Sequence, residues 1–516
     1  MTSTFTWLDA FVLIIYLAGV TALGMYLGRK QKNATDYFVA SHTIPWWALM
    51  LSIVATETSA LTFISTPGLS YGSAPGAGNL GFLQIVAGYI LGRIVVATVL
   101  LPRYFKGKMV TAYALLEQRF GIGARRFTSI VFMVTRALAD SVRVFATAIP
   151  IALIISPTVS NKGLVMPVAI LILGALTVLY TYRGGMKAVV WTELLQASIY
   201  LLGALSAIVL LGHAVTGGWS SIVDQASTAG KLRVIDTYWG FDRAHTIWAG
   251  LIGGAFLAMA SHGTDQLIVQ RLLSARNLKD AQKAIIGSGL VVFVQFTLFL
   301  VIGLGLWAFY QGRTFTTTDE IFPSFIIARM PPGLVGLIIA AVVAATMSTH
   351  SGAINSLAAA TTHDIYLPLT KRSADSPETL RMSKLFALVW GTVLTLGALL
   401  FRENGTPVVV VALGIASFTY GGLLGGFFLG VFWARANQRD AITGMSVGIA
   451  AMSFVVFARQ IGTWVPALAE PLAPFASIAW PWYVLIGTTL TMATGILSSF
   501  THAAPATVVQ PSEART

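Results

Sequence analysis

One apolar stretch of this chain carries more polar side chains than a lipid-facing helix would. Residues 45–71 read PWWALMLSIVATETSALTFISTPGLSY, with apolar ends and a run of hydroxyl side chains around Glu57 in the middle. An unsatisfied backbone group or an ionised carboxylate is costly in hydrocarbon unless a local partner compensates it. We therefore expect a broken membrane helix that forms an ion or solute site at mid-membrane.

A second apolar stretch, residues 332–366, presents two adjacent hydroxyls among small residues. Ala345, Ser348, Thr349 and Gly352 are spaced so that they share one face of a helix. Another helix could approach this face closely, and the hydroxyls offer neutral oxygen ligands. The alternative interpretation is that these residues only pack helices together and bond to their own carbonyls.

Backbone carbonyls of the broken helix would complete such a site. Unwound carbonyls near Ala55 and Thr58, combined with the hydroxyls of Ser348 and Thr349, would form an oxygen shell. Hard cations such as Na+ favour shells of this kind.

Two carboxylates lie within predicted spans, where a charge usually has a partner. Glu193 sits inside the cytoplasmic end of the span 187–212, where it could ligate a cation, exchange a proton or pair with Lys187 or Arg183. Glu57 lies deeper and could ligate a cation, bind a cationic part of a solute, or be protonated.

The span 126–156 carries a cluster of charges. Asp140 and Arg143 are three residues apart and could neutralise each other, which would leave Arg136 as the unpaired cation. Alternatively, Arg143 faces a central cavity and binds a solute carboxylate, for which a guanidinium fork is well suited. We favour Arg143, because it lies nearer the middle of the span.

The composition requires a membrane protein. Of the 516 residues, 56% are hydrophobic and only 10% are charged, against about 25% charged in soluble domains. We count about thirteen apolar stretches that approach the ~20 residues needed to cross a bilayer. They are 7–27, 45–71, 79–101, 126–156, 163–181, 187–212, 244–270, 284–310, 332–366, 382–401, 406–432, 441–460 and 477–500.

Charge and motif content narrow the class further. The net charge of +13 arises mostly from Lys and Arg in loops that are cytoplasmic if the N-terminus is outside, so it predicts orientation in an inner membrane and not nucleic-acid binding. The chain has no Cys, no phosphate-binding GxxxxGK[ST] loop, and no His spacing typical of a metal site. We expect neither an enzyme nor an ATP-driven pump, and no cofactor or obligate protein partner.

The order of the spans predicts an internal repeat in a single membrane domain, 1–516. The stretches 45–71 and 244–270 are both interrupted by small or polar residues, lie five spans apart and run in opposite directions. Inverted five-helix repeats produce this pattern. The prediction is an extra helix 7–27, repeat one at about 45–212, repeat two at about 244–432, extra helices 441–460 and 477–500, and a disordered tail 501–516.

Several motifs resemble the sodium:solute symporter family. They are TDYFVASHTIPWWALMLSIVATETSALTFISTPGLSYG, YRGGMKAVVWTELLQ, TDQLIVQRLLSARNLKDAQKA, GLIIAAVVAATMSTHSGAINSLAAATTHDIY and SFTYGGLLGGFFLG, in family order from about residue 7 to 460. The resemblance implies an all-α polytopic membrane protein with the leucine-transporter-type fold. It also implies sodium-coupled uptake of a small solute by alternating access.

The resemblance also assigns the main sodium site. In this sequence the corresponding residues are Ala55, Thr58, Ala345, Ser348 and Thr349. Some members bind a second sodium through an aspartate, and Glu193 stands at that position. Ala345 has no hydroxyl to support that second ion. Glu57 aligns with an aspartate that is important in proline-type members.

The solute site resembles that of the sialic-acid-type members around Thr62 and Arg143, with Thr56, Ser59 and Gln84 as further candidates. Val86, Ala258 and Val292 stand where sugar-type members would contact hexose. A small organic acid or acidic sugar is therefore the first expected substrate class. The alternatives are a sodium-coupled carrier of neutral sugars or amino acids, a proton-coupled carrier, and a transporter-like solute sensor.

Overall fold

The computed structural model describes residues 6–27, 33–58, 60–72, 77–106, 109–155, 159–315, 318–401 and 408–503. Within these ranges the protein is helical, and the single β-bridge pairs Ile44 with Ala275. Ser59 and most of the predicted tail 501–516 lie outside the described residues.

The first half of the chain holds helices that precede, form and follow the first predicted repeat, 45–212. In chain order they are α1 Trp7–Leu27, α2 Ala34–Val39, α3 Trp46–Glu57, α4 Ala60–Tyr71, α5 Leu83–Val95, α6 Leu101–Tyr104, α7 Ala114–Phe120, α8 Ile122–Ile155, α9 Val165–Ala214 and α10 Gly218–Thr228.

The second half also contains short interrupted helices followed by long continuous ones. Its elements are α11 Gly254–Gly263, α12 Gln266–Leu273, α13 Leu278–Phe309, α14 Ile321–Arg329, α15 Leu334–Ala360, α16 Leu367–Thr370, α17 Pro377–Leu400, α18 Val408–Phe432, α19 Gln438–Trp464, α20 Ala469–Ala476 and α21 Trp482–Ser499.

Eight helices of the described part are long and apolar enough to cross a membrane, or nine when α3 and α4 count as one span. The count of thirteen is therefore not confirmed. The other four predicted spans coincide with α8, the first part of α9, α11 and α21, which are shorter or more polar. The eight are Trp7–Leu27, Leu83–Tyr104, Gly185–Ala214, Leu278–Phe309, Leu334–Thr370, Pro377–Leu400, Ile415–Phe432 and Gln438–Trp464.

Both predicted interruptions are present. The axes of α3 and α4 differ by 63°, and Thr58 at the end of α3 has the non-helical dihedrals φ −80° and ψ 83°. In the second half, α11 ends at Gly263 and α12 starts after Asp265, whose side chain accepts a hydrogen bond from the Leu267 amide at 2.8 Å. Both breaks expose backbone groups that a continuous helix would use internally.

Small residues bring the two halves together at α5 and α11. A Cβ at Gly88 would lie 2.1 Å from the Gly250 carbonyl oxygen, and one at Gly92 would lie 2.3 Å from the Ala255 carbonyl oxygen. Only glycine permits this backbone approach, as at many membrane helix interfaces.

Helix α15 packs against α3, α4, α8 and α9, so the predicted hydroxyl face lies beside the broken helix. The division into repeats 45–212 and 244–432 stays a prediction.

Candidate solute and cation site

A cavity of about 300 Å³ lies where the broken helices meet α8 and α18. Its volume is at the lower end of the range for small-molecule sites. The lining residues are Thr56, Glu57, Thr62, Ser65, Thr66, Leu69, Phe82, Tyr89, Arg136, Arg143, Ala244, His245, Leu257, Ala258, Ser261, His262, Asp265, Leu267, Ile268, Phe296, Ala416, Tyr420 and Trp480.

A buried charge network forms the α8 wall of this cavity. Arg136 donates to both Asp140 oxygens at 2.9 and 3.0 Å, and its Nη1 lies 3.3 Å from Asp265 Oδ2. The Tyr420 hydroxyl donates to the same Asp265 oxygen at 2.6 Å. Arg136 is therefore fully engaged, which excludes the alternative in which it is the unpaired cation.

Arg143 is the arginine of this network that keeps N–H groups available for a ligand. Its Nη1 contacts Asp140 Oδ1 at 3.3 Å, and its side chain is 23% exposed, against 3% for Arg136. Its Nε has no hydrogen-bond partner among the described residues. Two arginines face two carboxylates here, Asp140 and Asp265, so the network is neutral before a ligand binds. A carboxylate would meet a guanidinium that still has unused N–H groups.

Glu57 lines the cavity but is not a lone charge. It forms an ion pair with Arg93 of α5, and His262 Nε2 lies 3.5 Å from the same carboxylate oxygen. Arg93 is fully buried, and its Nη1 donates to the Ser288 hydroxyl at 3.0 Å. Sequence reasoning gave Arg93 no role, although an arginine inside an apolar span was a signal that it needed a partner.

Glu193 is sealed away from the cavity in another ion pair. Arg271 of α12 donates through Nη2 to Glu193 Oε1 at 2.6 Å, and neither side chain is exposed. The Ser52 hydroxyl also donates to Glu193, and the Thr56 hydroxyl lies 3.2 Å from its Oε1. This arrangement differs from the predicted interfacial partner Lys187, because α12 folds back against α3 and delivers Arg271.

The candidate cation residues lie where α15 contacts α3 and α4. Ala55, Thr58, Ser348 and Thr349 are all buried. The Ser348 hydroxyl has no hydrogen-bond partner among the described residues, although such a group usually needs one. The Thr58 hydroxyl is engaged with Val54 and Gln295, so only its backbone carbonyl, at the helix end, is suited to a cation. The Ala345 side chain lies outside the described residues.

The remaining solute candidates differ in placement. Thr62 lines the cavity, and its hydroxyl lies 3.5 Å from the Glu57 carbonyl. Gln84 is not among the lining residues, and its assignment as a solute ligand stays a prediction. Its amide nitrogen donates to the His245 carbonyl at 3.0 Å, and its oxygen accepts from the Asp236 amide at 3.1 Å. The loop between α10 and α11 folds over the start of α5, and Gln84 bonds to the backbone of that loop.

Comparisons with known proteins agree with this architecture. The structure of a Na+-coupled sialic acid symporter in a substrate-bound outward-open state superimposes with a TM-score of 0.81 at 28% identity, covering 97% of this chain and 99% of that chain. A structure of Mhp1, a nucleobase-cation-symport-1 family transporter, matches with a TM-score of 0.51 at 12% identity, which supports the fold alone. The predicted all-α, leucine-transporter-type fold is confirmed.

Sequence relatives point the same way. The sodium/sialic acid symporter NanT of Aliivibrio fischeri is 30% identical over 467 residues, which are 89% of each chain. The sodium-dependent multivitamin transporter of Oryctolagus cuniculus is 29% identical over 92% of this chain and 73% of its own. The model of the sodium:solute symporter family matches residues 37–448. This multi-pass membrane protein therefore belongs to the sodium:solute symporter family.

Proposed function

We propose that this protein is a sodium-coupled symporter that takes up a small carboxylated solute by alternating access. The observation that carries the proposal is the open guanidinium of Arg143 on the wall of a central cavity. Family membership supports sodium as the coupling ion. Relatives named for transport of sialic acid support a carboxylated solute.

We place the sodium ion between α3 and α15. Its ligands would be the carbonyls of Ala55, Thr58 and Ala345 and the hydroxyls of Ser348 and Thr349. The buried, unpartnered Ser348 hydroxyl supports this assignment. No charged ligand is required, since neutral oxygens at a helix break suffice for a monovalent cation.

Coupling between the ion and the solute follows from their shared helix. Thr58 would bind sodium, while Thr56 and Glu57, its neighbours in sequence, line the cavity. Sodium would therefore favour the helix geometry that completes the solute site. A ligand can shift an equilibrium only by its preference for one state, and this shared element supplies such a preference.

One sodium ion per solute is the stoichiometry we propose. Glu57 and Glu193, the two candidate ligands for a second cation, already face the guanidinium groups of Arg93 and Arg271. A second cation near either carboxylate would be repelled by a buried positive charge. One sodium ion and one monovalent acid together carry no net charge, so uptake should be insensitive to membrane potential.

In the solute site, we propose that Arg143 binds the carboxylate and that Thr56, Ser59 and Thr62 contribute hydroxyls. The chain would lie in the cell membrane with its N-terminus outside and its C-terminus inside, as its loop charges indicate.

The deciding experiment is uptake of labelled acids, neutral sugars and proline into proteoliposomes with and without an inward sodium gradient. We expect accumulation of an acid only with sodium, and strongly reduced accumulation by the Arg143→Gln variant. Equal accumulation without sodium would contradict the cation assignment. Preference for a neutral solute would contradict the role of Arg143.

A further inference from the structure

A second, smaller cavity lies between α8 and α15. Its volume is about 10 Å³, which is enough for one water molecule. Of the described residues, Arg143 alone lines both this cavity and the solute cavity. The lining residues of the small cavity are Asp140, Arg143, Val144, Thr147, Thr346, Thr349 and His350. The cavity therefore lies between the arginine of the solute site and Thr349 of the proposed cation site.

His350 contributes a polar ring to this cavity. Its side chain is 2% exposed, and neither ring nitrogen has a hydrogen-bond partner within the part of the chain that the structure describes. A neutral imidazole offers one N–H donor and one acceptor nitrogen. Because buried polar groups are almost always hydrogen-bonded, His350 indicates a small polar partner held in the cavity.

The other polar groups of the wall suit such a partner. The Thr147 hydroxyl donates to the Arg143 carbonyl at 2.9 Å, and its oxygen can still accept a hydrogen bond. The Thr346 hydroxyl donates to the Val342 carbonyl at 3.1 Å and has the same spare capacity. Together with the unused Nε of Arg143, the wall supplies the two to four donors and acceptors that a buried water needs.

A water molecule fits this cavity better than a cation does. The Arg143 guanidinium belongs to the wall, and a cation held so close to it would be repelled. A water can accept from an arginine N–H and donate to an imidazole nitrogen or a threonine oxygen. It can therefore join groups on the two helices without adding charge.

We infer that one water molecule bound in this cavity joins His350 to Arg143. His350 is then a positioning residue through which sodium binding acts on the arginine of the solute site. It follows Thr349 directly on α15, so an ion that orders Thr349 also orders the neighbouring ring. The inference rests on the proposed function, since it needs sodium at Thr349 and a solute at Arg143. It adds a second route of coupling to the one through Thr58.

A double-mutant cycle on sodium binding tests this link without any solute. Arg143→Met removes the guanidinium and leaves Asp140 paired with Arg136, and His350→Leu removes both ring nitrogens. Sodium dissociation constants of the purified full-length protein, both single variants and the double variant would be obtained from unfolding temperatures. These temperatures would be measured over a series of NaCl concentrations, with KCl holding the ionic strength constant.

The sign of the expected result follows from the two effects of Arg143. Its direct repulsion of sodium is the same in both backgrounds and cancels from the cycle. Its water-mediated support of His350 is present only in the chain that retains His350. We therefore expect Arg143→Met to strengthen sodium binding at least about threefold more in the His350→Leu background than in the otherwise unchanged protein. Additivity within about twofold would overturn the inference.

His363 provides a matched control for the histidine. It is also buried, it packs edge-on against Phe38 with ring centroids 5.5 Å apart, and it does not line this cavity. The cycle of His363→Leu with Arg143→Met should be additive within about twofold. A deviation as large as that of His350→Leu would overturn the inference, because the coupling would not depend on the cavity.

Two further variants guard against loss of folding. If His350→Leu does not fold, the nearly isosteric Thr346→Val replaces it in the cycle, since it removes one acceptor from the same wall, and the same threefold criterion applies. His350→Gln retains a donor and an acceptor, so its cycle with Arg143→Met should deviate less than that of His350→Leu. An equal deviation would show that only the volume of the ring matters, which would overturn the water link.

Ser348→Ala separates this inference from the proposed function. If it weakens sodium binding while the His350 cycle is additive, the cation site stands and the water link is wrong. If NaCl raises the unfolding temperature of the unaltered protein no more than KCl does, the cation site and the inference are both wrong.

Discussion

Two ion pairs of this protein each join a buried carboxylate to an arginine, but they differ in how many of the arginine's donors are used. We call Glu193–Arg271 the sealed pair and Asp140–Arg143 the open pair. In the sealed pair both side chains are fully buried, and Ser52 also donates to Glu193. In the open pair Asp140 is buried, while 23% of the Arg143 side chain is exposed to the cavity. The contrast distinguishes a charge that holds helices together from one that can bind a ligand.

The physical reason is the number of unused hydrogen-bonding groups. Arg271 uses Nη2 and Nε on Glu193 and Ser52, and Nη1 on the Leu267 carbonyl. Arg143 uses one nitrogen on Asp140, which Arg136 already neutralises. A buried pair that is fully satisfied fixes a helix arrangement, whereas a pair with surplus donors is ready for an anion.

Breaking the sealed pair should have the largest effect, which we expect on the stability of the protein. Glu193→Ala leaves Arg271 charged, buried and unpaired, which costs about 3–5 kcal/mol of stability. We expect a markedly lower unfolding temperature of the detergent-purified protein. Glu378→Ala removes the partner of Arg372 in an exposed pair and is the matched control, with an expected loss below about 1 kcal/mol. Equal melting temperatures for the two variants would contradict the comparison.

Removing the arginine of the open pair should leave thermal stability nearly unchanged and weaken solute binding. Arg143→Gln removes a charge-assisted contact to the carboxylate worth about 1.5–3 kcal/mol, so solute affinity should fall about tenfold to a hundredfold. Calorimetric titration of the acid identified in the uptake panel measures this fall, and Arg143→Lys should retain part of the affinity. A loss of thermal stability comparable to that of Glu193→Ala would instead show that Arg143 is structural.

Removing one neutral oxygen ligand from the cation site should have a smaller effect, on the sodium dependence of uptake. Ser348→Ala removes one proposed ligand, so the sodium concentration for half-maximal uptake should rise about fivefold, equivalent to about 1 kcal/mol. Ser356→Ala removes another buried hydroxyl of α15, which bonds the Ala353 carbonyl at 3.0 Å, and should leave sodium activation unchanged. The same sodium response in both variants would remove Ser348 from the site.

Gln84 should show the smallest effect on binding. Gln84→Ala removes contacts that hold the loop between α10 and α11, so we expect a slower uptake rate with solute affinity changed by less than about threefold. Uptake kinetics and calorimetry on the same preparation separate the two quantities. A loss of affinity as large as that of Arg143→Gln would support Gln84 as a solute ligand.

The sequence was sufficient for the features that depend on local composition. The break near Thr58, the second break at Asp265 and the hydroxyl face at Ser348 all follow from polar residues within apolar stretches. The cost of a polar group in hydrocarbon depends little on its distant neighbours, so such residues mark positions where the fold must supply partners.

The tertiary structure alone decided which partners those are. Arg93 lies 36 residues from Glu57, and Arg271 lies 78 residues from Glu193. Pairing at such separations depends on which helix faces pack together, and no local pattern encodes it. The sequence by itself therefore determined the membrane class, the broken helices and the residues that needed compensation. Only the tertiary arrangement that brings Arg93 of α5 to Glu57, and Arg271 of α12 to Glu193 of α9, decided that two carboxylates are neutralised while Arg143 remains open to the cavity.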